Sequence, residues 1–561
     1  MQTQKPKPTT TILTLDAAIN NWWQDEMRFA PLYASYCGVR QYDDQLPDSS
    51  EQAIKKQTLS RREHLRNIES AIKLENGLDE LSRQVALYQL QTTLRLAETP
   101  DHLAPLGSSH GLHVQLTRLL HLADLSTAEG RENYLSRLRG LPVWLAQQQQ
   151  LLHKALERQQ YPYAEALRAV PIAIRFMASE QGLAQTFEPT SDQAVNDTAF
   201  QQRLQNVLQM LVAPALQTFA EFIETVYLKH SRPLPGLCAI PDGEAWYQAL
   251  IRQHTSLSLT AAEIHQIGLE EVAATREKAE AILKELGLPT PFDKGIDALR
   301  NDPRQYAQTP EQLLQYATQL CETINAALPR LFSRLPHLPF HVKATPAQLA
   351  PAYPSGFYLE PPADGSRPGE YWVNTHELNS RPLYVLPALT LHEAMPGHHL
   401  QIALTQEREN LPAFRRCLLN TAYEEGWALY AESLGNEIGL YDDPHAKLGW
   451  LSYRLWRAAR LVIDTGLHAK GWTREQAVQY LYQHSSLSKH ESETEVDRYI
   501  TWPGQALGYL LGEREMHALR RECSQQLGFD LQRFHEQLLC EGELPLPLLR
   551  RNSTDRSTIS A

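Results

Sequence analysis

The stretch HEAMPGHH, from His392 to His399, holds three imidazoles and a carboxylate within eight residues. Its first two residues open the zinc-peptidase pattern His-Glu-x-x-His. In that pattern two histidines one helical turn apart hold a metal, and the glutamate between them takes a proton from water. Here the fourth residue after His392 is Pro396, which has no ligand atom. The next imidazoles are His398 and His399, six and seven residues on. On an unbroken α-helix His398 is rotated about 600° from His392 and faces elsewhere, while His399 returns to the same face about 10.5 Å along the axis. Side chains rooted that far apart cannot share one zinc ion at about 2.0–2.1 Å from each nitrogen.

The helix cannot run straight through this segment. Pro396 lacks a backbone N–H and its ring collides with the carbonyl of His392, and Gly397 accepts almost any backbone angle. The expectation is a bulge that absorbs two residues. It puts His398 where the second ligand belongs and turns His399 toward the second shell or the cleft; the alternative exchanges the two. A third ligand is offered by TAYEEGWALYAESLGNEIG, where Glu425 and Glu432 lie seven apart on one helical face. A second helix crossing the first presents Glu425 to the metal, with Glu424 as the alternative, and Glu432 to a ligand imidazole. Two histidines and one glutamate leave the fourth position to water, the catalytic rather than the structural arrangement. Glu393 is then the general base. His and Glu ligation favours Zn2+, one per chain, over manganese or cobalt.

The elements that must position these residues read as helices. Thr260-Ala-Ala-Glu263 is a capping box, followed by Ile264, Ile267, Val272, Ala279, Ile282 and Leu286 on one face, with Gly287 and Pro289 as the stop. Thr473 with Gln476, and Ser492 with Glu495, read as two more boxes. LAQQQQLLHKALERQQ (145–160) reads as a polar-faced helix. Strand-like text is concentrated in SGFYLEPPADGSRPGEYWVNT (355–375), where two β-prone runs flank a Pro/Gly/Asp turn, predicting a hairpin or small sheet. Proline-rich breaks near 231–241 and 335–354 divide the chain into an N-terminal helical lobe, 1–235, and a lobe carrying the histidine motif, 236–550. A polar tail, 551–561, is expected to fray.

At 561 residues the chain exceeds one simple core. Hydrophobic residues at 42% and charged residues at 21% are the balance of a globular protein. A net charge of −12 argues against nucleic acid, whose binding needs a basic surface. The six cysteines form no CxxC pair and read as free thiols. No run of about 18 apolar residues occurs, so no membrane span is expected. The first residues lack a charged segment followed by a long apolar run. The expected location is the cytoplasm, or a secreted or periplasmic one had a leader been removed.

HEAMPGHHLQ, EGWALYAE and RYITWPGQALGY together resemble the bacterial family called domain of unknown function 885. FAPLYASYCGVR, residues 239–272 and GSRPGEYWVNT also look like its members, so the likeness spans most of the chain. Many members look like secreted lipoproteins, a feature this sequence does not share. The resemblance implies a Glu-zincin-like metallopeptidase: mainly α, two-lobed, with a small β hairpin or sheet at the cleft edge. It is distantly similar to the angiotensin-converting-enzyme-like peptidases, in which an acidic second helix supplies a Glu ligand and a His and a Tyr follow about ten residues apart. His490 and Tyr499 match that pair here. Dipeptidyl peptidase III is similar in tolerating a lengthened zinc motif.

Water attack on a peptide carbonyl builds an oxyanion that fixed donors stabilise. Tyr499 and His490 are the candidates for that role, with Tyr509 as a weaker alternative to Tyr499. Arg498 is the candidate to receive a substrate carboxylate through its forked donors. GEYWVNT is the candidate edge for an extended peptide, with Asn374 as its polar contact. The function expected is metal-dependent hydrolysis of short peptides. The alternatives are a peptide-binding or scaffold protein of the same fold without turnover, and a zinc hydrolase of a non-peptide amide. Oligomeric state is not legible.

Overall fold

The computed structural model describes residues 13–120, 122–189, 192–347, 350, 354–361 and 367–559. Helices dominate, and the described strands form one three-stranded sheet. Helix α1 (Leu15–Phe29) starts where the Thr14 hydroxyl accepts from the Ala17 amide, and α2 (Pro31–Tyr36) follows. The glutamine-rich segment lies in α3 (Ala128–Glu157), which buries Leu145, Leu151 and Leu152. Helix α4 (Gly243–Thr255) leads into α5 (Ala261–Glu285), whose first turn carries the expected reciprocal box of Thr260 and Glu263.

The sheet comprises β1 (Phe340–Ala344), β2 (Gly356–Leu359) and β3 (Gly369–Val373) in the order β1-β3-β2. The expected hairpin exists as the antiparallel pair β2–β3; its turn, 362–366, lies outside the described residues. GEYWVNT is not an edge, however. β3 is the central strand, paired in parallel with β1 on its other side. The proline-rich stretch read as a linker supplies that third strand.

Seven helices then build the region of interest: α6 (Leu386–Glu393), α7 (His398–Gln406), α8 (Thr421–Ser433), α9 (Pro444–Lys470), α10 (Lys489–Thr501), α11 (Gly508–Ser524) and α12 (Leu546–Ile559). The Thr473–Gln476 box caps a short helix as expected. The Ser492 box is displaced by one turn. Ser488 and Glu491 form it, and the Ser492 hydroxyl instead donates to the Ser488 carbonyl inside α10. The polar tail joins α12, anchored by the buried Leu546 and Leu549.

Three apolar cores hold these elements. One lies wholly within residues 103–227. A second surrounds α5 and α9. The third joins Leu15, Ile19 and Trp22 of α1 to Leu400, Trp427 and Leu546, with Trp22 edge-on to Phe414 at 5.5 Å. The lobe expected over 1–235 is therefore divided. The apolar face of α1 packs on the helices Glu51–Ser70 and Glu80–Leu96 as well as on residues after 400, and residues 103–227 form a separate core against which Leu32, Leu46 and Ile54 also pack. No helix among the described residues is long and apolar enough to cross a membrane, and the six cysteines form no disulfide with one another.

Candidate metal centre

The expected bulge is a break. α6 ends at Glu393 and α7 starts at His398, and the backbone of Ala394 (φ −95°, ψ −122°) and Gly397 (φ −75°, ψ −128°) is not helical. Proline with two surplus residues is too much for a bulge inside one helix, so 394–397 fold back over the end of α6. The Trp427 indole N–H donates to the Pro396 carbonyl at 2.9 Å, tying the connection to α8. A Cβ on Gly397 would stand 1.9 Å from the His392 carbonyl oxygen, so the close return admits glycine alone.

The break brings three ligand types together. One nitrogen each of His392 and His398 and one carboxylate oxygen of Glu425 lie within 4.8 Å of one another. Glu425 Oε2 is 3.5 Å from His392 Nε2 and 3.6 Å from His398 Nε2, and the two rings are nearly perpendicular, 4.8 Å between centroids. Behind His392, Glu432 Oε1 lies 2.9 Å from Nδ1. That contact keeps a proton on Nδ1, so that Nε2 would be the lone-pair donor once a cation displaces its proton.

The charges follow from this geometry. Burial pushes the His392 imidazolium down, but Glu425 and Glu432 outweigh it and hold its pKa up at about 9. Burial pushes Glu425 up, and the two histidines together with the Tyr509 hydroxyl bring it down to about 2. Burial and the charge on His392 lower His398 to about 4. Glu424, the alternative ligand, is not among the converging atoms; burial, Glu543 and Glu425 push its carboxyl well above the usual range.

Glu393 sits beside this group. Burial raises its carboxyl to about 7, partly opposed by His392, by Arg457 and by the backbone of Tyr358. Tyr358 belongs to β2, an outer strand, so the free edge of the sheet nearest the site is β2. His399 takes no place among the converging atoms. Its Nε2 donates to the Leu338 carbonyl at 3.0 Å and its Nδ1 accepts from the Tyr358 hydroxyl at 2.7 Å. It ties β2 to the stretch that leads into β1.

Helices α8 and α11 cross at two glycines. A Cβ on Gly512 would stand 1.9 Å from the Ala422 carbonyl and 2.7 Å from the Gly426 Cα. The crossing carries Tyr509, one turn before Gly512, toward Glu425; burial and the Glu425 charge push the phenol's pKa up. His254 acts at the same junction. Its Nδ1 lies 3.2 Å from the Thr421 hydroxyl at the start of α8, a physical role for the RQHTSLSL segment that sequence reading did not supply.

Several expected residues stand elsewhere. Tyr499 is fully buried, and its hydroxyl accepts from Trp456 and Arg460 at 3.0 and 2.9 Å and donates to Glu495 at 2.7 Å. Its oxygen is thus fully engaged away from the three ligands. His490 is exposed on the first turn of α10, because the helix begins at the Ser488 box. Arg498 is held by Glu495 at 3.0 Å and Gln505 at 2.6 Å. The Asn374 amide donates to the carbonyls of Ala350 and Pro354, and its oxygen accepts from the His376 amide; it folds a turn rather than facing a peptide. Sequence reading missed Tyr358, Arg457 and Arg460. The signal for the arginines was present in YRLWRAAR, with cations at every third position of a helix that is otherwise buried.

Comparison with known proteins agrees with this architecture. The sequence matches the family described as "Bacterial protein of unknown function (DUF885)" over residues 31–552, and the chain belongs to that family. Among curated proteins nothing matches. The fold is similar to the crystal structure described as "the putative lipoprotein from Colwellia psychrerythraea", at 28% identity and a TM-score of 0.89, covering 98% of this chain and 100% of that one. It is also similar to a "putative lipoprotein of unknown function from Shewanella oneidensis", at 18% identity and a TM-score of 0.73, covering 96% and 99%.

Proposed function

We propose that this protein is a zinc-dependent peptidase acting on short peptides. The observation that carries the reading is the convergence of His392, His398 and Glu425 on one point, with Glu425 Oε2 buried and lacking a hydrogen-bond partner. Two imidazole nitrogens and one carboxylate oxygen are a zinc ligand set with a position left for water. One ligand has an outer partner, Glu432 for His392, and the Tyr509 phenol stands near enough to Glu425 to help lower its pKa. Zinc, when bound, supplies a Lewis acid that polarises a carbonyl and acidifies water.

The chain's own residues do the rest. Glu393, with its carboxyl near neutrality, is suited to take a proton from water and return it to the leaving amine. Nearby, His399 is bonded to Tyr358 of β2. An extended peptide lies along the outer edge of β2 rather than along GEYWVNT. Tyr509 is the phenol beside the ligands. Burial and the Glu425 charge raise its pKa, so it stays a neutral donor, and it takes the oxyanion role first given to Tyr499. The description of the Colwellia protein as a lipoprotein favours the cell envelope over the cytoplasm, which fractionation of expressing cells decides.

The test has two parts. Zinc is measured in the purified protein and in His392→Ala, and hydrolysis of a random peptide mixture is compared between wild type and Glu393→Gln. The expected result is one zinc per chain, lost in His392→Ala, and a roughly 1,000-fold slower Glu393→Gln that keeps its zinc. A protein that takes up no zinc even when incubated with it, or a Glu393→Gln variant as fast as wild type, overturns the reading. Bound peptide without turnover in either form points to the binding protein, and turnover of amides other than peptides to the third alternative.

A further inference from the structure

The six thiols are scattered through the sequence, but the fold brings two of them to one place. Cys37 follows the last residue of α2, and its amide donates to the Tyr33 carbonyl at 2.9 Å. Cys417 follows the short helix Ala413–Arg416, and its amide donates to the Ala413 carbonyl at 3.3 Å. These two helix ends are pinned to each other, because the Tyr33 hydroxyl donates to the Cys417 carbonyl. The same segments meet again where Trp22 of α1 stands edge-on to Phe414 at 5.5 Å. Cys37 lies four residues after Tyr33 on the same helical face, and helical side chains lean back over the preceding turn. Its thiol is thus carried toward the phenol that holds Cys417.

The two sulfurs act on each other, and unequally. Cys417 and burial push the Cys37 thiol up, while Cys37 brings the Cys417 thiol down against burial, helped by the charge of Arg416. Both are partly exposed and open to a small reagent, whereas Cys321 and Cys523 are buried in apolar cores. A thiol beside a cation, with a second thiol at hand, is the arrangement of an attacking and a resolving cysteine. We propose that Cys37 and Cys417 are a reversible redox site, which a low-molecular-weight disulfide converts into a Cys37–Cys417 bridge. The Cys417 thiol gives its proton to solvent, and its thiolate attacks one sulfur of the reagent. A mixed disulfide forms, and the other half of the reagent leaves as a thiolate and takes up a proton. Cys37, deprotonated in turn, attacks the Cys417 sulfur and expels the second half. The protein loses two electrons and two protons, and the reagent gains them as two thiols. The bridge joins residues 380 apart in the sequence. It ties α2 to the chain three residues before Asn420, whose side chain caps α8 by accepting from the Tyr423 amide. The ligand-bearing helix is then anchored at its start to the N-terminal segment, whether or not the metal reading stands.

The experiment incubates the folded full chain with oxidised glutathione, blocks remaining thiols with N-ethylmaleimide, and maps tryptic peptides without reduction. The expected product is peptide 29–40 linked to peptide 417–447, each of which holds one cysteine. It is expected to dominate every other pairing among the six and to vanish after dithiothreitol. In Cys37→Ser the reaction stops halfway, and glutathione stays on Cys417. In Cys417→Ser the bridge is absent, and Cys37 is recovered as the maleimide adduct. The thermal midpoint of wild type rises by about 3 °C or more on oxidation, and that of Cys37→Ser does not. Cys37 and Cys417 both recovered as maleimide adducts, or linked no more often than other pairs, overturns the proposal. So does glutathione held by Cys37 in Cys417→Ser with none held by Cys417 in Cys37→Ser. Where a variant fails to fold, the bridge map and the midpoint of wild type decide alone.

Discussion

Helix α9 carries two buried charged clusters on successive turns, and they are finished differently. Around Arg460, Tyr499, Trp456, Glu495 and Arg498, nearly every polar atom is answered within the protein. One phenolic oxygen takes two donors and gives one proton, one carboxylate serves two guanidinium groups, and only Nη1 of Arg460 is left over. Around Arg457, Glu432, His392, His398 and Glu425, the remainder is large. Two nitrogens of Arg457, Nδ1 of His398 and Oε2 of Glu425 have no partner. Both clusters are rich in the residue types that do chemistry. The first is a brace, because its groups satisfy one another. The second has donors and acceptors that no protein atom meets, which is the mark of a ligand site.

The two tyrosines test this contrast most severely. Tyr499→Phe removes an oxygen from the closed cluster and strands Trp456, Arg460 and Glu495. It is expected to cost about 3 kcal/mol in a denaturant titration, with peptide turnover by the remaining folded protein within about threefold of wild type. Tyr509→Phe is expected to do the reverse. Turnover falls about tenfold or more, while the unfolding midpoint moves by less than about 1 kcal/mol. Should Tyr499→Phe abolish turnover at full stability, the closed cluster is no brace and the sequence assignment of the oxyanion donor stands.

Acid sharpens the same contrast. Burial pushes Glu495 up, but Arg498 and Arg460 hold it down at about 2, against an ordinary 4.5. A carboxylate with a depressed folded pKa contributes stability that is present above about 4.5 and lost as pH falls toward 2, at no more than about 1.4 kcal/mol per pH unit. Glu495→Gln is therefore expected to be less stable than wild type at pH 7, with the gap narrowing as unfolding is measured down to pH 3. A gap that stays constant with pH removes the ion pairs as the source of the brace.

The crossing of α8 and α11 links the clusters to the fold. Gly512→Ala sets a methyl group against the Ala422 carbonyl, where backbone rather than a side chain must give way. The expected cost is about 2 kcal/mol, with weaker zinc retention because Tyr509 moves with α11. Unchanged stability and zinc content would mean that the helices have slack at this point.

What the sequence disclosed and what it hid divide along one line. His392, His398, Glu425 and Glu432 could be named because spacing within two short segments fixes which atoms share a face, and Pro396 with Gly397 announces that the first helix stops. The fate of Tyr499 could not be named. It is decided by Trp456 and Arg460 of α9, some 40 residues earlier, and no local pattern carries that contact. β3 was misplaced at an edge because its second neighbour, β1, comes from a proline-rich stretch that reads as a linker. Ser488–Glu491 and Ser492–Glu495 are equally good boxes by type. The choice falls to packing, which buries Val496, Tyr499 and Ile500 on one face of a helix started a turn earlier.

That one-turn displacement decides the fate of His490, the smallest expected effect. Started at the Ser492 box, the helix would leave His490 in the preceding loop, free to fold back toward the metal ligands. Started at the Ser488 box, it holds His490 in its first turn with the ring in solvent. Exposed substitutions away from caps and pockets change stability by no more than about 0.5 kcal/mol, and alanine is the better helix former. His490→Ala is thus expected to match or slightly exceed wild-type stability and to keep turnover within twofold. A tenfold loss of turnover without loss of stability would require the imidazole to reach the substrate, which α10 permits only by unwinding its first turn. Replacing Ser488 by Ala, which weakens that turn, would then raise the rate above that of wild type and do nothing in the His490→Ala background.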